Sequence, residues 1–329
     1  MHDGVLYLTE KDVVSVLDMP AAIDALQSML TQQGRDKVKN VPKALGTWGD
    51  GSSMHALGSV MTEEGQCGFK TWVYTKKGGG SMYSLFDSEN GRLLALIEAR
   101  ALGMMRTAAI SGVATRVLAS ANNGVAALIG TGPQAVTQLS ALAAIQDWNE
   151  IRIFSPTPEK RQAFISRLAA RYPFKLIECD SLEAAMDGAE IATTITRAGD
   201  PFLNQNHLDT CKHINAVGAI LPSKAELDQA VMKQADLVVV DDMENAMRGS
   251  RELRELLGTE AASWSEVAIL SKLLANGTAR PAETKLTIFK GMGMGMSDLA
   301  VARCVYERAS KQGLGITLPA QTRENLLLN

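Results

Sequence analysis

The chain has 329 residues, 46% of them hydrophobic and 21% charged, with a formal net charge of -3. This length supports a substantial core and suggests two domains, and the small net charge offers no bulk attraction to nucleic acid or an anionic membrane. The four cysteines, Cys67, Cys179, Cys211 and Cys304, form no C-x-x-C pair or Cys/His cluster; there is also no secretion-type start or membrane-length apolar run, so reduced thiols, no metal and a cytoplasmic location are expected.

Thr9 followed by Glu10 and the apolar positions Val13, Val14, Val16 and Leu17 reads as a capped helix that restarts at Pro20 and runs to about Gln33. Residues 41–97 alternate and carry many glycines, which reads as antiparallel strands. Turns are expected at Gly49-Asp50-Gly51, at 77–80 and at Glu89-Asn90-Gly91, with Lys76-Lys77 as a solvated hairpin tip. A helix is expected over 102–118, and strands alternate with helices from 124 onward. Candidate strands are 125–130, 151–155, 192–196, 213–219 and 237–241. A last strand, a Gly/Met loop and a helix close the chain, the methionines reading as apolar filler. The fold class expected is α/β. A Rossmann-type doubly wound NAD(P)-binding domain over 121–303 accompanies an α+β substrate-binding domain over 1–120, to which a C-terminal helix over 304–329 returns.

The stretch from Val125 to Ala135 is an apolar strand ending in G-x-G-x-x-A, with a helical pattern after it. Gly130 permits the tight turn, Gly132 lets a pyrophosphate approach the backbone, and Ala135 lets the helix pack close to the strand. The positive end of that helix then faces the anion. The second strand ends at Ser155 with no acid at its tip, where an NAD site would hold a ribose with a carboxylate. Ser155, Thr157, Lys160 and Arg161 offer hydroxyl and cationic donors instead, which favours NADP(H) over NAD(H). Glu159 folding back would restore an NAD site.

Substrate chemistry is expected from the first domain. Lys70 lies in an alternating strand; a lysine on its buried face would need an anion, whereas one on its exposed face would need nothing. Arg106 precedes small residues in G-M-M-R-T-A-A and could clamp a carboxylate or pyrophosphate. Lys43 and His55 carry weaker signals. Trp48, Trp72, Tyr83 and Ile220 are candidates for the pocket wall.

Taken together, these segments resemble the ornithine cyclodeaminase/mu-crystallin family over nearly the whole chain. The matching pieces are VPK (41–43), GFK (68–70), the D-x-x-x-G run from Asp87 to Gly91, RTAA (106–109), GTGPQA (130–135), INAVGA (214–219) with Pro222, Lys224, Glu226 and Leu227, VVVDD (238–242) and FKGMGMGMSDLA (289–300). The resemblance implies a homodimer, with the first domain also serving dimerisation. It implies that Lys70 contacts the substrate carboxylate and assists proton transfer, that Arg106 stands between that carboxylate and the cofactor, and that Lys43 adds a further cation. For the cofactor it implies Arg106, Thr107, Gly130, Thr131, Gly132, Pro133, Gln134 and Ala135. It adds Ser155, Thr157, Arg161, Thr194, Thr196, Val217, Gly218, Ala219, Met292 and Gly293. Lys224 and Asp241 match more loosely.

Where cyclodeaminases resemble one another in carrying an aspartate two residues before Pro222, this chain has Ile220, which cannot move a proton. An acidic residue expected early in the sheet domain is replaced by His55. Both departures point toward the family's imino-acid reductases, with an α-imino acid as small-molecule partner and no nucleic acid or membrane partner. Lys43, Lys70 and Arg106 would gather the carboxylate, and with no acid nearby the lysine pKa values should fall. His55, Lys70 or a water would supply the proton. Two readings compete: ornithine or lysine cyclodeamination with recycled NAD, and a non-catalytic protein that binds NADPH or a small ligand.

Overall fold

The computed structural model describes residues 4–49, 51–63, 65–120, 124–278, 280–322 and 324. In chain order the elements are β1 (Val5–Leu8), α1 (Glu10–Val16), α2 (Met19–Gly34), β2 (Val38–Trp48), β3 (Ser52–Met61), β4 (Gln66–Thr75), β5 (Gly78–Asp87), β6 (Leu93–Glu98) and α3 (Arg100–Leu118). Next come β7 (Val125–Ile129), α4 (Pro133–Ala143), β8 (Glu150–Phe154), α5 (Pro158–Leu168), β9 (Lys175–Glu178), α6 (Leu182–Met186), β10 (Ile191–Thr194), β11 (His213–Ala216), α7 (Gln229–Gln234) and β12 (Leu237–Val240). The last are α8 (Met243–Gly249), α9 (Arg251–Leu257), β13 (Ala268–Ile269), α10 (Leu270–Ala275), β14 (Thr287–Lys290), α11 (Gly295–Gln312) and β15 (Ile316–Leu318).

The chain divides into two compact units. One comprises Met1–Ala25, Asp36–Arg106 and Gly295–Asn329, the other Leu26–Arg35 and Thr107–Met294. The division therefore falls within α3 at Arg106/Thr107 rather than at 120, and the chain returns to the first unit at Gly295 rather than at 304. The helix expected over 304–329 stops at Gln312, because Gly313 and Gly315 take φ values of 64 and 89° and break it. Beyond these glycines the chain forms β15 instead. Asp50 of the expected first turn, 121–123 at the expected domain boundary, and 323 and 325–329 of the expected helix lie outside the described residues.

The first unit is built on a seven-stranded sheet in the order β15-β1-β6-β5-β4-β3-β2. Short apolar β1 went unanticipated; it pairs parallel with β6 and antiparallel with β15. Thr9 follows it, and its hydroxyl accepts from Asp12 N while the Asp12 carboxylate accepts from Thr9 N, a reciprocal cap that starts α1. In the long meander, Leu57 stands opposite Lys70 and Lys70 opposite Tyr83, with His55 opposite Trp72. Directly opposed residues share a face, so alternation sorts these side chains to one side and Trp48, Met54, Phe69 and Val73 to the other. Those four are 40–56% exposed, an open apolar face. Helix α11 packs against β2, β3, β4 and β5.

The second unit has an eight-stranded sheet, order β13-β12-β14-β11-β10-β7-β8-β9. Its pairings are parallel. Ala126 and Leu128 of β7 join one core with Ile151, Ile153, Leu139 and Phe164. Ala127 and Ile129 join another with Ala192, Ile214, Ala216 and Ile288. Both faces are thus buried, as in a doubly wound sheet. Chain order runs from β7 out through β8 and β9, then resumes on the other side of β7 at β10, which makes the β7/β10 junction the topological switch point. Among the described residues no single helix is long and apolar enough to cross a membrane.

Candidate active site

Glycines set the geometry of the charged cluster in the first unit. Gly68 makes room for Tyr83: a Cβ there would lie 2.6 Å from the phenol oxygen. Gly295 seats the start of α11 on the sheet, since a Cβ there would lie 2.1 Å from the Gly58 carbonyl oxygen. Asn40 Oδ1 accepts from Met296 N at 2.8 Å and holds that helix end against β2. Three residues after Gly295, on the same side of α11, comes Asp298, fully buried. Gly103 lets α3 pass Lys70, a Cβ there falling 3.4 Å from Nζ. Three residues further on stands Arg106.

These approaches bring three charges together. Lys70 Nζ donates to Asp298 Oδ1 at 2.7 Å, and Arg106 Nε lies 3.2 Å from the same oxygen. The second contact is an ion pair by distance, but its angle does not complete a hydrogen bond, and Arg106 Nε, Asp298 Oδ2 and the Tyr83 hydroxyl all lack hydrogen-bond partners. Lys70 is 6% exposed. Burial pushes its pKa down to about 8, opposed by Asp298 and reinforced by Arg106 and Lys43. Burial and then the negative charge of Asp298 hold the Tyr83 phenol well above its usual value. Ser59 acts the other way, though neither hydroxyl completes a hydrogen bond.

Trp72 forms the adjoining surface. The Lys70 and Lys43 ammonium groups lie 5.0 and 5.5 Å from its ring centroid. His55 stacks on it, centroids 4.4 Å apart and planes 6° apart. Its Nε2 pairs with Ser53 Oγ at 3.0 Å, and its pKa is lowered by burial and by Lys43.

In the second unit the loops after β7, β10, β11 and β14 leave the same edge of the sheet. Gly130 has φ 122°, and a Cβ there would strike the Ile195 carbonyl at 2.5 Å, so the first of these loops packs on the second. Gly132 caps α4 with Pro133 at the first turn, no side chain caps that helix end, and no atom lies within 4 Å of a Cβ built at Gly132. Ala135 is fully buried under the turn. A backbone that open at the positive end of an 11-residue helix fits a pyrophosphate. Thr131 Oγ1 and Ser155 Oγ lie 2.9 Å apart, linking this turn to the tip of β8. Gln138, one turn into α4, donates to the Thr107 carbonyl at 3.3 Å.

A second buried network underlies the β10 and β11 loops. Glu226 accepts from Thr194, Thr196, Gly218 and Ala219. Lys290 donates to Ala219 O at 2.6 Å and to Glu252 at 3.1 Å. Asp241 accepts from Met292 N at 2.8 Å and Gly293 N at 2.7 Å, tying down the Gly/Met loop; burial raises its pKa to about 6.

A profile of the ornithine cyclodeaminase/mu-crystallin family matches residues 5–313. The chain belongs to this family. It is 33% identical over 242 residues to Delta(1)-pyrroline-2-carboxylate reductase of Bacillus cereus, covering 73% of this chain and 74% of that one. It is also 33% identical over 224 residues to ketimine reductase mu-crystallin of Mus musculus, covering 68% and 67%. The crystal structure of iminosuccinate reductase of Paracoccus denitrificans in complex with NAD+ superposes with a TM-score of 0.86 at 26% identity, covering 97% of this chain and 98% of that one.

Within this family member the structure groups Lys70, Arg106, Lys43 and His55 in the first unit, and Gly130–Ala135, Ser155, Thr194, Thr196, 217–219, Met292 and Gly293 along one sheet edge of the second. Three expectations change. An acid does stand beside the cations: Asp298 was hidden because only the packing of α11 on the sheet brings it to Lys70. Its one sequence signal is a lone carboxylate among the apolar residues Met294, Met296, Leu299 and Ala300. Arg161 turns inward, donating to Ser155 O at 2.6 Å and pairing with Glu178 at 3.3 Å, so its charge is spent on the protein. Trp48 lies on the sheet face opposite Lys70, which removes it from the pocket wall. Thr157 caps α5 with no side-chain hydrogen bond of its own to that helix. Glu159 and Lys160 are exposed in the first turn of α5.

Proposed function

We propose that this oxidoreductase reduces the C=N bond of an α-imino acid, either a cyclic ketimine such as pyrroline- or piperideine-2-carboxylate or an imine formed from a 2-oxo acid and an amine. The observation that carries the reading is the buried Lys70–Asp298–Arg106 cluster, in which two cations meet a single carboxylate. A substrate carboxylate satisfies that excess. Fixing it orients the neighbouring imine carbon, which accounts for much of a hydride transfer. A nicotinamide dinucleotide, when bound, would supply the hydride. Lys70, at about 8, is largely protonated at neutral pH yet gives up a proton readily, so it donates to the imine nitrogen as the carbon gains hydride. His55 is the weaker source, because its lowered pKa leaves it mostly neutral.

For the cofactor we favour NADP(H). Ser155 and Thr157 follow β8 with no acid between them, Lys160 is exposed in the first turn of α5, and the Glu178 carboxylate of the next strand is taken up by Arg161, which makes no contribution to the cofactor in this arrangement. We also propose a homodimer, for which the open apolar face of Trp48, Met54, Phe69 and Val73 speaks, and a cytoplasmic location, which four unbridged cysteines suit. Ile220 at the aspartate position disfavours cyclodeamination.

The test is a panel of pyrroline-2-carboxylate, piperideine-2-carboxylate and 2-oxo acids with ammonia or methylamine, each with NADH and NADPH. Steady cofactor oxidation with at least one member, faster with NADPH, is expected. A protein that binds cofactor but turns over none of them is the non-catalytic binder instead, and ammonia release from ornithine without net NADH would mean cyclodeamination.

A further inference from the structure

We infer that Glu226 is a positioning residue that shapes the cofactor-facing loops after β10 and β11. The inference rests on the dinucleotide reading above. Glu226 is fully buried, and its carboxylate gathers five hydrogen bonds. Oε1 accepts from Thr196 N at 2.6 Å and Thr196 Oγ1 at 2.7 Å. Oε2 accepts from Thr194 Oγ1 at 2.9 Å, Gly218 N at 2.9 Å and Ala219 N at 3.3 Å. The donors come from the ends of two neighbouring parallel strands, so one side chain crosses and locks both loops.

Every partner of that carboxylate is a donor. An amide in its place would turn an N–H toward an N–H or force a hydroxyl to reverse, and the backbone N–H groups of Thr196, Gly218 and Ala219 would compete for a single oxygen. Gly218 owes its identity to this clamp: a Cβ there would lie 2.3 Å from Glu226 Oε1 and 2.3 Å from Thr196 N. The clamp is held from behind, since Glu226 N donates to Glu252 Oε1 at 3.0 Å and Glu252 pairs with Lys290. Lys290 also holds the Ala219 carbonyl, so the peptides on either side of Ala219 are fixed, one at its N–H by an anion and the next at its C=O by a cation. Charge-assisted bonds of this kind, made in a dry interior, set backbone positions more tightly than loop packing does.

The experiment compares wild type with Glu226→Gln by fluorescence titration of NADPH and NADH and by steady-state kinetics with the best panel substrate. Loss of the clamp should weaken cofactor binding by at least about tenfold, as expected for disturbing hydrogen bonds to a buried charge. The KM for the imino acid at saturating cofactor should stay within about threefold of wild type, well inside one decade of affinity. Should Glu226→Gln fail to fold, Thr194→Val replaces it. Thr194 is fully buried and donates to Glu226, and its loss should weaken cofactor binding severalfold. A folded variant whose cofactor affinity matches wild type, with only its unfolding midpoint lowered, overturns the inference and leaves the proposed function standing. A wild-type protein that binds neither NADPH nor NADH overturns both.

Discussion

The two units each bury a three-charge cluster, and the clusters are finished differently. In Glu226–Glu252–Lys290 both carboxylates have hydrogen-bond partners on each oxygen, and Lys290 holds an anion and a carbonyl. In Lys70–Asp298–Arg106 the Arg106 Nε, Asp298 Oδ2 and neighbouring Tyr83 hydroxyl have no completed hydrogen bond. Low surrounding dielectric makes a satisfied network rigid and an incomplete one costly. The first kind of cluster is therefore suited to fixing backbone. The second keeps bonding capacity that a ligand's carboxylate and nitrogen can take up.

The largest expected effect separates the clusters by function. Lys70→Met should lower kcat/KM by about 10²–10⁴-fold, the range for a lost acid–base group, while NADPH affinity measured by fluorescence titration stays at the wild-type value. A parallel loss of cofactor binding would erase the distinction between the units. Next in size, Lys290→Met leaves Glu252 buried without its cation and should destabilise the protein by about 3–5 kcal/mol. Urea unfolding would show this as a lower midpoint; an unchanged midpoint would mean that this network fixes nothing.

A finer test uses pH. Lys70 has a pKa near 8, held up against burial by Asp298. If the ammonium is the active form, kcat/KM falls as pH rises through about 8. Removing the anion lowers an ammonium's pKa, so Asp298→Asn should move this limb to lower pH. A limb that stays in place would show that Asp298 does not control Lys70. The smallest effect is expected from His55→Phe, which keeps an aromatic ring beside Trp72 in place of the imidazole. It should change kcat by less than about fivefold, far below the loss of a proton donor, whereas a deeper loss would give His55 that role.

Much of this was legible in the residues themselves. The strand–glycine–helix run at 125–135 places a phosphate site because glycine conformation and helix polarity are local properties. The period of two in 66–75 is also local, and it put Lys70 and Trp72 on one face once a register existed. β1 and β15 were missed for the complementary reason: each is a short strand whose stability comes from pairing with a segment remote in sequence.

The matched segments were enough to suggest the family, and Ile220 with His55 turned the chemistry toward imine reduction, since these signals depend on residue type alone. Only the tertiary structure decided which charges meet. Asp298 is 228 positions from Lys70, and Glu226 reaches its donors only where two parallel strands end side by side. Arg161 looked like a cofactor cation until folding turned it toward Ser155 and Glu178. A charge's role depends on its distance to other charges and to water, and for these residues both distances are set by packing between elements far apart in the chain.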